Sequence, residues 1–244
     1  MPDPADNANG PSGAMNILAF DTATAACSAA VMAGGRIVAH RFELREAGHA
    51  EHLMPMVEAV MEEAGLGYRD LDRIAVTVGP GTFTGLRIGL AAARGLAIAA
   101  DIPVLGVSTL ETLAATAFDM AMKSGATVIA AIDARRGEVY AQAFEADGDP
   151  ASSPAVLSLA DAAALAAGKD AVLVGTGAPL LAPLIEAAGG TARCGEGPGL
   201  PDAGVLAEIA ARRAIVPGVA PPAPLYLRAP DARLPATAPQ RWPR

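Results

Sequence analysis

A chain of 244 residues with 52% hydrophobic residues is long enough for one large domain or two small ones, and too apolar to be disordered. A net charge of −8 and an aromatic content of 4% disfavour tight nucleic-acid binding by this chain alone, because phosphates are repelled and stacking platforms are scarce. Cys27 and Cys194 form no CxxC motif, which predicts reduced, buried thiols of a cytosolic protein.

The amino-terminal stretch differs in composition from the rest of the chain. Residues 1–14 are rich in Pro, Asp, Asn and Gly and lack the basic start and apolar centre of a secretory signal, so they predict a disordered tail. Met15 directly precedes the first predicted strand and is a candidate start residue. No apolar run reaches the ~20 residues that span a bilayer. We therefore expect a cytoplasmic location and no membrane partner.

The first half alternates between predicted strands and helices. Strands are predicted at 16–21, 25–32, 36–44, 74–78 and 104–107, and helices at 49–64, at 86–100 and from about 109. The first three strands form a meander closed by the Gly34-Gly35 turn. This order predicts a mixed sheet with helices on its faces.

A glycine-rich loop, residues 79–90, joins the fourth predicted strand to the helix after it. Gly79, Gly81 and Gly85 can adopt backbone angles that other residues resist, and Thr84 is the candidate N-cap of a helix starting near Gly85. Free N–H groups at such a junction suit either an anion or a closely packed neighbour. The spacing matches neither GxxxxGK[ST] nor GxGxxG, which argues against a P-loop kinase or a Rossmann dehydrogenase.

The second half repeats the start of the first. The apolar strand, acid, polar turn and outgoing strand around Asp21 recur around Asp133, offset by 112 residues. Further elements are predicted at 158–167, 171–174, from Pro179 and at 202–215. We expect an α/β protein of two duplicated halves, 15–122 and 123–216, with mixed sheets flanked by helices, as in the actin-like (ASKHA, ribonuclease H-like) fold. A Pro-rich extended tail, 217–244, is predicted after them.

Two groups of polar residues could carry chemistry. Asp21, Thr22 and Thr24 sit at a strand-to-strand turn, which in actin-like kinases faces nucleotide phosphates, with the Asp holding Mg²⁺ through water. The alternative is that they only cap the turn, since no basic residue accompanies them. Asp133, with Arg135, Arg136 and Glu138, is either part of such a site or a solvated turn.

His49 and His52 are three residues apart on a predicted helix and share a face, so they could hold Zn²⁺ or Fe²⁺. HExxH is absent and no third ligand can be assigned, so no metal site is predicted. A solvated or interfacial histidine at a helix start is the simpler interpretation.

The two predicted helices of the first half carry apolar residues on more than one face. Leu86, Ile88 and Leu90 cannot share one stripe, and Met54 and Met61 lie off the main face of their helix. Such helices are either deeply buried or covered by a partner. The candidate partner-binding residues are Leu53, Met54, Met56, Val57, Val60, Met61, Leu86, Gly89, Leu90 and Ala93.

Several motifs together resemble one bacterial family. Residues 17–24, 79–89, 132–140 and 226–228 resemble the TsaB (YeaZ) family, and the likeness spans about residues 15–228. The resemblance implies the actin-like fold and a part in making N6-threonylcarbamoyladenosine at position 37 of tRNA. It implies a non-catalytic subunit without a cofactor of its own, which pairs with the transferase TsaD and with the ATPase TsaE and meets tRNA only through that complex.

The resemblance also implies where the partner binds. The contact between TsaB and TsaD resembles a bundle of amino-terminal helices, which map onto 49–64 and 86–100, and such proteins self-associate when TsaD is missing. This chain departs from TsaD-like chains in having His49-Ala-Glu-His52 instead of HxxxH, and only Gly175-Thr176-Gly177 of the adenosine loop. Asp21, Thr22, Thr24 and Asp133 are then a vestigial nucleotide site.

Two alternatives stay open at this point. One is an active nucleotide-dependent transferase or kinase of the same fold that uses Asp21 and Asp133 around ATP-Mg²⁺. The other is a metallopeptidase acting through His49 and His52.

Overall fold

The computed structural model describes residues 15–166, 168–215 and 220–228. The predicted tails at 1–14 and, within the carboxyl-terminal stretch, at 217–219 and 229–244 lie outside the described residues.

The first half is built on a five-stranded sheet in the order β3-β2-β1-β4-β5. Its strands are β1 (Ile17–Asp21), β2 (Ala26–Ala33), β3 (Arg36–Leu44), β4 (Arg73–Gly79) and β5 (Val104–Ser108), and its two long helices are α1 (His49–Ala64) and α2 (Phe83–Ala100). Strands β1 to β3 pair antiparallel, whereas β4 and β5 run parallel to β1. All five residues of β1 are buried, as expected of a central strand covered on both faces.

The second half repeats this plan. Its elements are α3 (Thr109–Ala115), α4 (Phe118–Ser124), β6 (Thr127–Arg135), β7 (Glu138–Phe144), β8 (Ala155–Ser158), α5 (Leu159–Ala164), β9 (Ala171–Val174), α6 (Ala178–Ala187), β10 (Ala192–Cys194) and α7 (Ala203–Arg212). The sheet order, β10-β9-β6-β7-β8, and the strand directions match those of the first sheet. The predicted duplication is therefore confirmed, with Asp21 and Asp133 at equivalent places.

Helices cover both faces of each sheet. Helices α1 and α2 pack on one face of the first sheet, where Val57 and Leu90 join a core with Phe20. Helix α7 covers the other face through Leu206 and Ala207. On the second sheet, α5 and α6 cover one face and α3 and α4 the other.

Three helices depart from the predicted division at residues 122 and 216. Helix α3 precedes the predicted boundary between the halves and α4 spans it, but both pack on the second sheet; α7 comes after that boundary but packs on the first sheet. Hydrogen bonds fix α7 there: Arg73 donates to the carbonyl of Ala210 at 2.7 Å, and Ala203 N–H donates to Ser28 Oγ at 3.1 Å. The periodicity of a helix shows that it has an apolar face, but not which sheet that face covers.

Several predicted boundaries are wrong. Helix α2 begins at Phe83, and its N-cap is Thr82 and not Thr84, because Thr82 is extended and its Oγ1 accepts the N–H of Gly85 at 3.2 Å. Strands β8 and β10 and helix α4 were not predicted, since each is short and lacks a clear period.

Among the described residues, α2 is the one helix that passes a length and composition test for a bilayer span, although only a third of it is buried. It exposes Arg87 and Arg94 and packs Leu90 and Ala93 against the sheet, which is the pattern of a helix lying on a folded domain.

Candidate functional site

The turn after β1 holds three of the predicted nucleotide-site residues, and all three are buried. Asp21 Oδ1 accepts the N–H of Ala23 at 3.2 Å and the hydroxyl of Thr77, whereas Asp21 Oδ2 has no partner among the described residues. Burial raises the pKa of Asp21 to about 7, although the hydrogen bonds from Thr77 and Ala23 lower it. The carboxyl group of Asp21 is therefore enclosed by protein.

The glycine-rich loop closes this turn. The N–H of Thr82 donates to the carbonyl of Ala23 at 2.7 Å, and a Cβ at Gly81 or Gly85 would overlap a backbone carbonyl of the turn. Thr22 Oγ1 donates to the carbonyl of Gly85 at 2.7 Å. Of the two predicted roles for the loop, the observed one is a closely packed neighbour, because its glycines meet protein backbone. The structure therefore does not place Asp21 where a nucleotide could reach it.

Asp133, the fourth residue of that set, has a different environment. Its side chain is exposed, its Oδ1 accepts the N–H of Arg135 at 2.7 Å, and its own N–H donates to Thr176 Oγ1 at 3.0 Å. The two aspartates are equivalent by topology, but one is enclosed and the other is solvated, so they do not share an open site.

A cavity of about 450 Å³ lies between the halves, bounded by β3, α3, and the loops after β9 and β10. At its edge His40 Nε2 lies 2.9 Å from Asp202 Oδ2. This hydrogen bond raises the pKa of His40. Burial raises the pKa of Asp202. This effect is outweighed by the hydrogen bond with His40, by the charge of His40 and by the backbone N–H groups that Asp202 caps, so the pKa of Asp202 lies below its usual value.

The two cysteines differ. Cys27 is buried, and burial raises the pKa of its thiol to about 11. Cys194 lines the cavity between the halves and is exposed, so its predicted burial is wrong. It lies on β10, a three-residue edge strand that sequence periodicity did not detect.

The predicted partner-binding residues are mostly inside the chain's own core, which corrects the expectation of surplus apolar surface at these positions. Nine of the ten are buried: Leu53, Met56, Val57, Val60, Met61, Leu86, Gly89, Leu90 and Ala93; Met54 is half-buried. Helices α1 and α2 contact each other and both pack on the first sheet, so the sheet and the neighbouring helix together bury more than one face of each helix. Whether these helices bind a partner stays a prediction.

The outer side of α2 has apolar exposure of its own. Phe83 is 52% exposed near its start and Ile98 is 83% exposed near its end. Between them Ala91 and Gly95 are exposed and small. These positions are more exposed than the nine buried residues of the predicted set.

The histidine pair does not form a metal site in the described residues. His49 is buried, and its Nε2 donates to the carbonyls of Thr24 and Ala26 at 3.0 and 3.1 Å, so it anchors α1 to the β1–β2 turn. The prediction of a solvated or interfacial His49 is wrong. No cluster of three or more His, Cys, Asp or Glu ligands occurs in the part of the chain that the structure describes.

A carboxyl-terminal strap, residues 220–228, was not foreseen as a packed element. The N–H of Leu225 donates to the carbonyl of Val78 at 2.7 Å, and Arg94 donates to the carbonyl of Pro222 at 2.6 Å. Tyr226 stacks against Phe83 with ring centroids 5.4 Å apart. The only sequence signal was the Tyr226-Leu227-Arg228 motif.

The strap also reaches the second half. Arg228 donates to the carbonyl of Ala134 at 2.9 Å and pairs with Glu138, and its guanidinium lies 5.8 Å from the ring of Tyr140. Nine residues thus connect α2 with the β6–β7 hairpin.

Comparison with known proteins identifies the family. The model of the tRNA N6-adenosine threonylcarbamoyltransferase family, TsaD, matches residues 43–182, over half of the chain. A solved structure from Pseudomonas aeruginosa, described as an uncharacterized protein with similarity to peptidase YeaZ, is 34% identical, with a TM-score of 0.71 over 88% of this chain and 100% of that one. The Escherichia coli tRNA threonylcarbamoyladenosine biosynthesis protein TsaB is 48% identical over 134 residues, 54% of this chain and 56% of that protein.

The chain belongs to the TsaB (YeaZ) family. An uncharacterized Mycobacterium tuberculosis protein is also 37% identical over 89% of this chain and 93% of its own length. The match to the first curated TsaB relatives spans only about half their length.

Proposed function

We propose that this chain is a non-catalytic subunit of the machinery that makes N6-threonylcarbamoyladenosine at position 37 of tRNA. It works in the cytoplasm, pairs with a TsaD-like transferase and supports binding of a TsaE-like ATPase. The observation that carries the proposal is the closed turn at Asp21 in a TsaB-family chain. The glycine-rich loop fills the space beside Thr22 and Ala23. The side chains suited to nucleotide phosphates, Asp21, Thr22 and Thr24, are therefore buried and closed off from a nucleotide. We propose no cofactor and no metal.

The outer side of α2 is the surface best suited to the transferase. Ala91 and Gly95 are small enough to let another helix approach closely, and Ile98 offers exposed apolar area beside them. The same face could pair two copies of this chain when the transferase is missing.

The test has two stages. Depletion of this protein followed by mass spectrometry of tRNA nucleosides should show loss of N6-threonylcarbamoyladenosine, and an unchanged level would contradict the function.

Ala91→Glu should then abolish co-purification with the TsaD-like transferase, because an unpaired carboxylate would be buried at the contact. Ala187→Glu, at an exposed alanine on α6, is the matched control and should co-purify normally. Equal recovery of both variants would exclude this face.

A second candidate is an active nucleotide-dependent transferase, which the match to the TsaD model favours. The cavity between the halves would then hold the nucleotide. Calorimetry of the full chain with ATP and Mg²⁺ separates the two: micromolar binding supports the enzyme, and its absence supports the subunit.

A further inference from the structure

The loop after β10, residues 195–201, forms one wall of the cavity between the halves. It runs from the second sheet to Asp202, the N-cap of α7, which packs on the first sheet. Three glycines and two prolines make up most of its sequence, so its course is set by turns and not by strand pairing. Gly197 and Gly199 have left-handed φ angles of 92° and 65°. We call residues 195–201 the cavity loop.

Close packing, and not hydrogen bonding, holds the middle of the cavity loop. At its start the N–H of Gly195 donates to the carbonyl of Leu173 at 2.8 Å. In the described part of the chain, no backbone N–H of residues 196–200 donates to another residue. A Cβ on Gly199 would lie 3.0 Å from the carbonyl carbon of Gly175, so the loop rests there against bare backbone. A segment with so few backbone bonds opens at a small cost in free energy.

A histidine–aspartate pair ties the far end of the cavity loop to the first sheet. Asp202 Oδ1 accepts the N–H of Gly204 at 2.7 Å, and Asp202 Oδ2 lies 2.9 Å from Nε2 of His40 on β3. Both side chains of the pair are partly exposed, so protons exchange between them and the solvent. A neutral imidazole keeps a hydrogen bond to the carboxylate but loses the attraction between opposite charges.

Other titratable groups among the described residues act on this pair. Arg41 follows His40 on β3, and its charge lowers the pKa of His40. The bond to Asp202 outweighs this effect and raises the pKa of His40 above its ordinary value of 6.5. On the far side, the charge of Asp202 raises the pKa of Asp21. The remaining titratable side chains that line the cavity with His40 are Cys194 and Glu196.

We propose that the cavity loop is a lid on the cavity between the halves, and that the His40–Asp202 pair holds it closed while His40 carries a proton. The stabilisation from the charged pair is fully present below pH 6.5 and is lost as the pH rises through the higher pKa of His40 in the folded chain. The lid therefore loosens on the alkaline side and widens access to the cavity wall at Thr176 and Cys194. The device operates whether the chain is a subunit or an enzyme.

Hydrogen exchange of the full chain reports the state of the lid at pH 6.0 and pH 8.0. Mass spectrometry follows peptides covering residues 194–206, and each rate is divided by the intrinsic rate of the unstructured sequence, which removes the direct effect of pH. Since Asp21 titrates near pH 7, all chains compared carry Asp21→Asn. In this background the corrected exchange should be about threefold faster at pH 8.0, a modest ratio because a partly exposed ion pair contributes little.

His40→Gln is the decisive variant. Glutamine keeps a donor for Asp202 but never becomes charged, so exchange should be fast at both pH values, as in the parent chain at pH 8.0. His52→Gln changes a histidine on α1, outside the lining of the cavity, and is the matched control. It should keep the threefold ratio.

Two results of the exchange measurement would overturn the inference. One is equal exchange at both pH values in the parent chain, and the other is a pH ratio that persists in His40→Gln. Nuclear magnetic resonance gives a second test without that variant, because the chain has only three histidines and their ring signals are easily followed. A His40 pKa at or below 6.5 would also overturn it. Neither measurement involves a transferase or tRNA, so the proposed function stands or falls separately.

Discussion

The carboxyl group of Asp21 has a consequence for stability. Its pKa is about 7 in the folded chain against 3.8 for an ordinary aspartate, because burial penalises the charged form. Between these values the folded protein holds a proton that the unfolded chain releases. The contribution of the protonated Asp21 carboxyl to stability is therefore fully present below about pH 4 and is lost as the pH rises to 7, by roughly 4 kcal/mol in all.

Asp21→Asn removes this titration. The amide cannot ionise, and its oxygen can still accept from Thr77 and Ala23, so the variant should gain stability relative to the native chain on going from pH 5 to pH 8. Urea unfolding at both pH values measures the difference. Asp170→Asn, at an exposed aspartate, should show the same difference at both. An Asp21→Asn effect that does not change with pH would contradict the buried-carboxyl account.

Two glycines of α2 should respond in opposite directions to the same substitution. Gly85→Ala places a Cβ on the carbonyl oxygen of Thr22 and should cost about 3 kcal/mol or more, because backbone cannot move aside cheaply. Gly95→Ala meets nothing within 4 Å and should stabilise the helix by about 1 kcal/mol. Thermal melts of both variants test this pair, and a stable Gly85→Ala would show that the loop does not pack against the turn.

At the scale of elements, the strap depends on a few polar contacts. Arg228→Ala removes the bonds to Ala134 and Glu138, so the amide of Leu225 should exchange hydrogen faster, with a loss of global stability of about 1 kcal/mol. Arg41→Ala, which breaks a half-exposed pair with Glu63, is the control and should leave exchange at Leu225 unaltered. Equal exchange in both variants would mean that apolar packing alone holds the strap.

Elements with strong hydrophobic periodicity, or with glycines at their ends, could be predicted from the sequence. The bounds of α1 and β3 agree with the sequence prediction to the residue, since Gly65 ends α1 and the Gly34-Gly35 turn begins β3. The repeat around Asp21 and Asp133 predicted the paired sheets. These features depend on local backbone chemistry, which the sequence carries directly.

Neither burial nor the packing of elements distant in sequence could be predicted from the sequence. No local sequence feature distinguishes an apolar helix face that binds a partner from one that a neighbouring helix covers, and so Val57 and Leu90 are candidates for partner binding from the sequence although both lie in the core. The sequence of the glycine-rich loop is compatible either with a bound anion or with close packing against neighbouring backbone. The position of Thr22 in the structure decides for close packing. The strap lacks both helical and strand periods, so its contacts with α2 had no signal beyond one short motif.

At the scale of the whole molecule, the exchange of helices makes the halves interdependent. Helix α7 covers the face of the first sheet formed by Ile17, Ala19 and Val107. A chain ending at residue 200 should therefore expose this core and fail to melt cooperatively, as measured by circular dichroism. A chain ending at residue 215 keeps α7 and should retain a cooperative, somewhat lower transition. Cooperative unfolding of the shorter chain would show that the first half is autonomous.

The unequal environments of the two thiols make the native protein ready for site-specific labelling. A maleimide dye should couple to Cys194 on the wall of the cavity between the halves and leave Cys27 untouched, giving one adduct per molecule by intact mass. The emission of that dye would then report any opening or closing of the two halves in real time, with no engineered cysteine.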